Sequence, residues 1–268
     1  MNKLKSGEFY GTHYQKSAFE NIVITDTEYT HNKVDWHQHE NPYFTYLLQG
    51  KLFESNKKES YYLEPGSLLF HNWQDAHYNT KPPEYTRGFH IELNERWFSN
   101  FDIPITDFEG SMNLKNPLIK NLMNRLFIEL KVNDPFSQLG IDTLLIEIFS
   151  TIKEFGKLNS QKPIWIKKLQ ELLSEEKIDY SLKNLSSILG IHPVHLSREF
   201  SRYFGTSLGN YTRLVKLNKA FCLIASNKFS MTEICYQCGF YDQSHFISNF
   251  KRVYNTTPTQ LFRDKRQC

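Results

Sequence analysis

Residues 239–254, GFYDQSHFISNFKRVY, repeat a pattern that already stands fifty residues earlier in GIHPVHLSREFSRYFG. His195 corresponds to His245, Leu196 to Phe246, Phe200 to Phe250, Arg202 to Arg252 and Phe204 to Tyr254. Duplication constrains the fold more than any single motif, because each copy must build the same small unit and the pair must be held together.

Each copy reads as a short helix, a turn opened by glycine and a second helix. In the first, Leu182, Leu185 and Leu189 share a face, Gly190 ends it, and Leu196, Phe200 and Phe204 point inward from Val194 to Phe204. In the second, Met231, Ile234 and Cys238 share the first face, Gly239 ends it, and Phe246, Phe250 and Tyr254 point inward from the next helix. The second turn reads as one residue shorter. With the inward positions fixed, the 3.6-residue period turns Val194, Ser197, Arg198 and Arg202 outward in the first module. It turns Gln243, Ser244, Ile247 and Ser248 outward in the second, with Lys251 and Arg252 further along. Arginine and glutamine can read base edges in a major groove, short side chains can touch thymine methyls, and the later cations suit phosphates.

Between the copies Leu208 to Ser226 is free of proline and carries apolar groups on more than one face, the pattern of a helix buried between neighbours. About 18 residues at 1.5 Å rise give roughly 27 Å, close to the turn of about 34 Å between successive major grooves on one side of a duplex. Charge agrees. Residues 1–160 hold 16 Lys and Arg against 21 Asp and Glu, and residues 161–268 hold 16 against 8, so the halves carry −5 and +8. A basic C-terminal half suits a polyanion, although a merely solvated basic face has the same composition.

From about Ile164 to Arg263 the chain resembles the paired helix-turn-helix domain of AraC/XylS transcriptional regulators. The resemblance is carried by Leu182, Leu185, Leu189, Gly190, Leu196, Ser197, Phe200 and Gly205, then by Tyr211, Leu217, Lys219 and Ala220 in the linking helix. Ile234, Gly239, Phe240, Asp242, His245, Phe246, Phe250, Lys251, Arg252, Thr257, Pro258 and Arg263 continue it. Four positions depart from the family pattern: Lys216 for arginine, Asn255 for glycine, Cys235 for alanine and Ser248 for a cation. The last implies a second module that reads fewer bases. The resemblance implies DNA contacts by Val194, Ser197, Arg198, Arg202, Arg213, Lys216, Gln243, Ser244, Ile247, Ser248, Lys251 and Arg252.

The N-terminal half has another texture. Runs such as FTYLLQGKLF and YYLEPGSLLF, broken by glycine, proline and charged turns, read as antiparallel strands. WHQHENPYFTYLLQG followed by PGSLLFHNWQDAHYN, within residues 20–95, resembles the two stretches of a cupin barrel, the usual effector domain of these regulators. In a strand of period two His37 and His39 share a face, and His77 stands where a cupin supplies its third histidine. Tyr43 replaces the glutamate of the cupin metal pattern, so no metal or other cofactor is assigned and the histidines are read as polar pocket or core residues. Trp36, His37, His39, Tyr43, Tyr46, Trp73 and His77 are the candidate effector-binding residues, aromatic faces and polar groups that suit a small organic ligand, unless they simply fill the barrel.

Two further helical patterns follow: Leu118 to Leu130 and Leu144 to Phe155. One of them is expected to form a homodimer interface, with covering the barrel as the alternative. Residues 156–162, GKLNSQK, read as an interdomain linker. Four cysteines do not make a disulfide framework, and Cys235 and Cys238 fall on an inner helical face, where packing is the expected role of both. No stretch approaches the roughly 18 apolar residues of a membrane span, and the start lacks an apolar leader, so a cytoplasmic protein is expected.

The chain is therefore read as an α+β protein of two domains, each with its own core. Residues 1–156 form a cupin-like antiparallel barrel with following helices for effector binding and dimerisation, 157–162 link, and 163–268 form an all-α domain with two helix-turn-helix modules. The expected function is a transcription regulator, an activator, that binds promoter DNA, answers a small-molecule effector, works as a homodimer and meets RNA polymerase, with no membrane partner and no enzyme activity. Two rivals stand: a metal-dependent cupin oxygenase with an attached binding module, and a protein whose basic helices bind acidic protein partners.

Overall fold

The structure is a computed structural model that describes residues 2–72, 75–159, 163–174 and 180–261. Its strands are β1 (Asn2–Leu4), β2 (Thr12–Phe19), β3 (Ile22–Glu28), β4 (Lys33–His39), β5 (Tyr43–Gln49), β6 (Leu52–Asn56), β7 (Ser60–Leu63), β8 (Leu68–His71), β9 (His77–Thr80), β10 (Arg87–Leu93) and β11 (Ser111–Asn113). The helices are α1 (Glu95–Asn100), α2 (Pro117–Val132), α3 (Ser137–Asn159), α4 (Ile164–Ser174), α5 (Leu182–Leu189), α6 (Pro193–Phe204), α7 (Leu208–Ser226), α8 (Met231–Gln237), α9 (Gln243–Tyr254) and α10 (Pro258–Leu261).

The strands form two sheets, ordered β1-β4-β9-β6-β7 and β11-β8-β5-β10-β3-β2. All pairings are antiparallel except that of β1 with β4. Every residue of β5 and β10 is buried, since one face of the second sheet meets the barrel interior and the other meets helices. Edge strand β2, THYQKSAF, instead alternates exposed with half-buried residues, as one covered face requires.

Helix starts follow local chemistry. Asn116 accepts from the Leu118 amide ahead of Pro117, Ser207 accepts from Asn210 at the head of α7, and Ser230 with Glu233 closes a reciprocal capping box on α8. Helix α3 continues to Asn159, so the first residues of the expected linker are helical, and residues 160–162 lie outside the described residues.

The two turns differ in the direction opposite to expectation. Helix α5 caps on Gly190 and α6 on His192, with one residue between, whereas α8 caps on Cys238 and α9 on Asp242, with Gly239, Phe240 and Tyr241 between. The second turn is longer, because α8 ends one residue before its glycine and Tyr241 is inserted ahead of the next cap.

The cores also divide differently from one per domain. The largest cluster runs from β5, β8 and β10 through α2 and α3 into α7, α8 and α9. In it Phe127 of α2 lies edge-on to Phe89 of β10 at 5.2 Å and to Phe221 of α7 at 5.7 Å. The first module, with α4, has a separate cluster: Ile166, Leu169, Leu173, Leu185, Leu196, Phe200, Phe204 and Tyr211. The reason lies in α7, whose apolar groups point several ways, so that its N-terminal Tyr211 serves the first module while Leu217, Ala220, Phe221 and Ile224 meet the rest. The first module touches α3 at Gly205, a left-handed residue where an added Cβ would stand 3.1 Å from the Phe155 ring.

Separate clusters predict separable stability. Phe200→Ala removes a fully buried ring and is expected to cost about 3–5 kcal/mol, confined to α4–α6. Amide hydrogen exchange should quicken there while β5 and β10 keep their protection, whereas Phe221→Ala should quicken exchange in α2, α7 and α9 together.

Candidate nucleic-acid interface and barrel interior

The proposed contact residues of the first module lie on α6 and α7. Val194, Ser197, Arg198 and Arg202 are exposed along α6, opposite the buried Leu196, Phe200 and Phe204. Glu199 lies 3.5 Å from Arg198 Nε and 3.6 Å from Arg202 Nη1, pairs too exposed to hold either guanidinium firmly. Arg213 and Lys216 are half-buried on α7, and Lys216 Nζ donates to the Gly239 carbonyl at 2.5 Å, tying α7 to the turn of the second module. On α9, Gln243, Ser244, Ser248, Lys251 and Arg252 are exposed and Ile247 is half-buried.

Arg213 and Arg252 bear on each other. Arg213 Nη1 donates to Asn210 and Arg252 Nη2 to Asn249, and neither has an acidic partner among the described residues. Burial, and then the charge of Arg252, lower the pKa of Arg213. Like charges that feel each other, with no acidic partner among the described residues, favour an anion that neutralises both.

Inside the barrel the structure brings together His37, His39, Tyr43 and His77. His37 Nδ1–H donates to the Asp35 carbonyl at 2.9 Å and His77 Nδ1–H to Asp75 at 3.0 Å, leaving each Nε2 as an acceptor. Tyr43 O–H donates to His77 Nε2 at 3.1 Å. Strand alternation takes two other candidates away. Trp36, 42 % exposed, points outward and packs its ring 5.1 Å from Tyr78, and Tyr46 points through the opposite face of β5 towards Cys222 of α7, with its hydroxyl 3.7 Å from Sγ. Trp73 lies outside the described residues.

Sequence reasoning missed much of the interior. His71 stacks on Tyr43 at 4.5 Å, His90 lies 2.7 Å from the Tyr29 hydroxyl, Glu54 Oε1 is 3.3 Å from His71 Nε2, and Phe9 stacks on His90 at 4.1 Å. The alternation of β8 and β10 could have found His71 and His90. Nothing local marks Phe9, which arrives from the N-terminal segment. The filled interior leaves a cavity of about 20 Å³, room for about one water.

Burial keeps these groups neutral. It lowers His37, pushes His39 and His71 well down, and takes His77 and His90 to about 3. It raises Glu54 to about 8, helped by Asp75. The Glu54–His71 contact is thus between a carboxylic acid and a neutral imidazole, not an ion pair.

Among the described residues His37, His39 and His77 are the one group that could hold a metal ion, with ligand atoms within 4.8 Å of one another and His39 Nδ1 unpartnered. Yet Tyr43 already occupies the His77 lone pair from the position a carboxylate would need, and Glu54 is held protonated. In this arrangement the residues do not fit a finished metal centre. Cys222, Cys235 and Cys238 are buried thiols, and burial raises all three, Cys222 to about 11 and Cys238 to about 12, values that suit packing rather than chemistry.

Two turned helix pairs on one shared helix, beside a two-sheet β domain, define a helix-turn-helix protein. Residues 185–264 match the family model described as a helix-turn-helix domain, and the C-terminal region carries such a domain of the AraC type. The chain is 34 % identical over 79 residues to the HTH-type transcriptional regulator GlxA of Rhizobium meliloti (strain 1021), covering 30 % of this chain and 24 % of that one. It is 24 % identical over 212 residues to the HTH-type transcriptional activator RhaS of Mannheimia succiniciproducens, covering 74 % and 78 %. The chain thus spans about a quarter of the length of GlxA and most of that RhaS. Among solved structures, apo ToxT from Vibrio cholerae strain SCE256 aligns over 90 % of this chain and 97 % of its own, with 14 % identity and a TM-score of 0.41. No helix among the described residues is long and apolar enough to cross a membrane.

The neutral interior predicts acid sensitivity. An unfolded imidazole takes up a proton near pH 6.5 that folded His77 and His90 refuse until about 3, so their stability contribution, full above 6.5, is lost as pH falls towards 3. Glu54 acts oppositely, contributing fully below 4.5 and losing that as pH rises through about 8. Burial raises Glu92 as well, but because the lowered histidines outnumber these two carboxyls, denaturant stability should fall between pH 6.5 and 5. His90→Gln should flatten that slope by up to about 1.4 kcal/mol per pH unit, one proton's worth.

Proposed function

We propose that this chain is a sequence-specific DNA-binding transcription regulator whose two helix-turn-helix modules, one on each side of α7, grip neighbouring major grooves of promoter DNA. The observation that carries the reading is the pair of exposed recognition faces on α6 and α9, with Arg213 and Arg252 held by Asn210 and Asn249 and without acid partners among the described residues. At 19 residues, α7 is about 28 Å long, close to one groove spacing. In this reading Arg198 is the main specificity residue, while Arg202, Arg213, Lys216, Lys251 and Arg252 contact phosphates and Val194, Ser197, Gln243, Ser244, Ile247 and Ser248 line the groove.

Residues 1–156 act as the sensing part and 163–268 as the DNA-binding part. A small effector larger than water enters the barrel only if side chains give way, and Phe9 is the ring that the N-terminal segment inserts among His39, Tyr43 and His90. Effector binding then shifts DNA occupancy by its differential affinity for two arrangements of barrel and modules. Strand β5 joins the two, with Tyr43 on the effector side and Tyr46 against α7.

We assign the regulator to the cytoplasm as a homodimeric activator that meets RNA polymerase. Helix α2 is buried between the sheet and α7 and is taken up within one chain. The exposed Val132, Phe136 and Leu139, around the start of α3, offer an apolar surface for pairing. Phe136→Glu is expected to turn the dimer into a monomer in sedimentation velocity, and a variant that sediments as the parent does would move the interface elsewhere.

The DNA reading is tested by gel shift on duplexes selected from a random pool. Arg198→Ala should relax preference at one base pair, losing about 1–3 kcal/mol of discrimination. Arg252→Ala should weaken all duplexes alike and flatten the salt dependence. Equal loss on every base variant for both substitutions would contradict the division of roles.

A further inference from the structure

The second turn holds one residue that the first does without, and that residue is Tyr241. Of its neighbours, Phe240 is buried against Phe246 and repeats the role of half-buried Ile191, while Asp242 accepts from the His245 amide and starts α9. Tyr241 has neither task. Its side chain is 86 % exposed, and it has no hydrogen bond or ring contact among the described residues. A tyrosine left in water at an inserted position adds nothing to the fold, and its apolar ring and polar tip are the pairing that binding surfaces use.

Its place supplies the partner. Tyr241 stands immediately before the first turn of α9, whose exposed groups include Gln243, Ser244, Ser248 and His245, the last with its ring 5.8 Å from Phe240. The first module offers two long arginines on its face, and the second has its cations only in the last turn, at Lys251 and Arg252. At the entering end of α9 the His245 ring lies beside Phe240, whereas the Tyr241 ring, with more reach and apolar area than Gln243, Ser244 or Ser248, stands free in water.

We propose that Tyr241 is a specificity residue of the second module, with its ring against a thymine methyl at the outer edge of the groove that α9 enters and its hydroxyl donating to a flanking phosphate. The proposal rests on the DNA-binding reading above. Apolar contact with the thymine methyl distinguishes T from the other bases, and a tyrosine O–H on phosphate fixes register without reading sequence.

The test uses the full-length chain and the duplex that the wild type enriches from a random pool, with each thymine of the second half-site replaced in turn by uracil. One replacement should weaken wild-type binding about fourfold, the share of one buried methyl. Tyr241→Ala should weaken binding at least as much and become indifferent to that replacement, so that the two changes do not add. Tyr241→Phe should keep the methyl dependence and bind every duplex about threefold more weakly. Because the side chain is exposed, all three proteins should melt together. A Tyr241→Ala protein that binds as tightly as wild type, keeps the methyl dependence, or changes only the sedimentation of the free protein overturns the proposal and leaves the DNA-binding reading standing. A wild-type chain that enriches no sequence overturns the DNA-binding reading and this proposal with it.

Discussion

Helix α2 has almost no face left for water over its central turns: of residues 117–130 only Arg125 is exposed. One side packs Phe127 on Phe89 of the sheet, and the other packs it on Phe221 of α7. Polar groups sit in the same joint. Asn124 donates to Asn218 of α7 and to the Tyr254 hydroxyl of α9, Asn121 donates to the same hydroxyl, and Asn218 donates to the Pro117 carbonyl. Buried amides must find such partners or lose their desolvation cost uncompensated, so these bonds fix the register of α7 on α2 as apolar contact alone would not. A second anchor lies at the other end of α2, where Asp26 takes a bidentate bond from Arg87 and lies 3.4 Å from Lys131.

The two modules, alike in sequence, are held unequally as a result. The second is built into the wall it shares with the barrel, while the first hangs on the N-terminal half of α7 with a core of its own and the contact of Gly205 with Phe155. A change in the barrel therefore reaches the second module through packed side chains and reaches the first through α7 as a lever. Cys222 shows how close the coupling is: its sulfur lies against Tyr46 of β5 and would stand 3.7 Å from a Cβ at Gly66. The resemblance of the modules describes their inside faces. Their difference in mounting decides how each can move.

Much of the site was legible because it follows local rules. The outward faces of α6 and α9 came from the 3.6-residue period, and the shared interior of His37 and His39 came from the two-residue period of β4. The same rule, applied along β4 and β5, already separates Trp36 from His37 and Tyr46 from Tyr43, and the structure divides them in that way. What the sequence withheld was partnership across the fold. Glu54 meets His71 only because β6 and β8 line one interior, and Phe9 reaches His90 because β1 pairs with β4. The length of the second turn was misread for a related reason: glycine marks a turn, but where a helix stops depends on its last carbonyls, and Cys238 caps α8 one residue early.

By itself the sequence determined the repeated helix pairs, the strand-rich first half and the basic second half, since periodicity, capping residues and charge act over a few neighbouring residues. Tertiary structure decided which surfaces those elements share: that α7 divides its apolar faces between two cores, that α2 is consumed within one chain, and that the barrel closes on its own side chains. A spacing of apolar residues states how much surface must be hidden from water and is silent on what will hide it. That choice belongs to the whole chain at once.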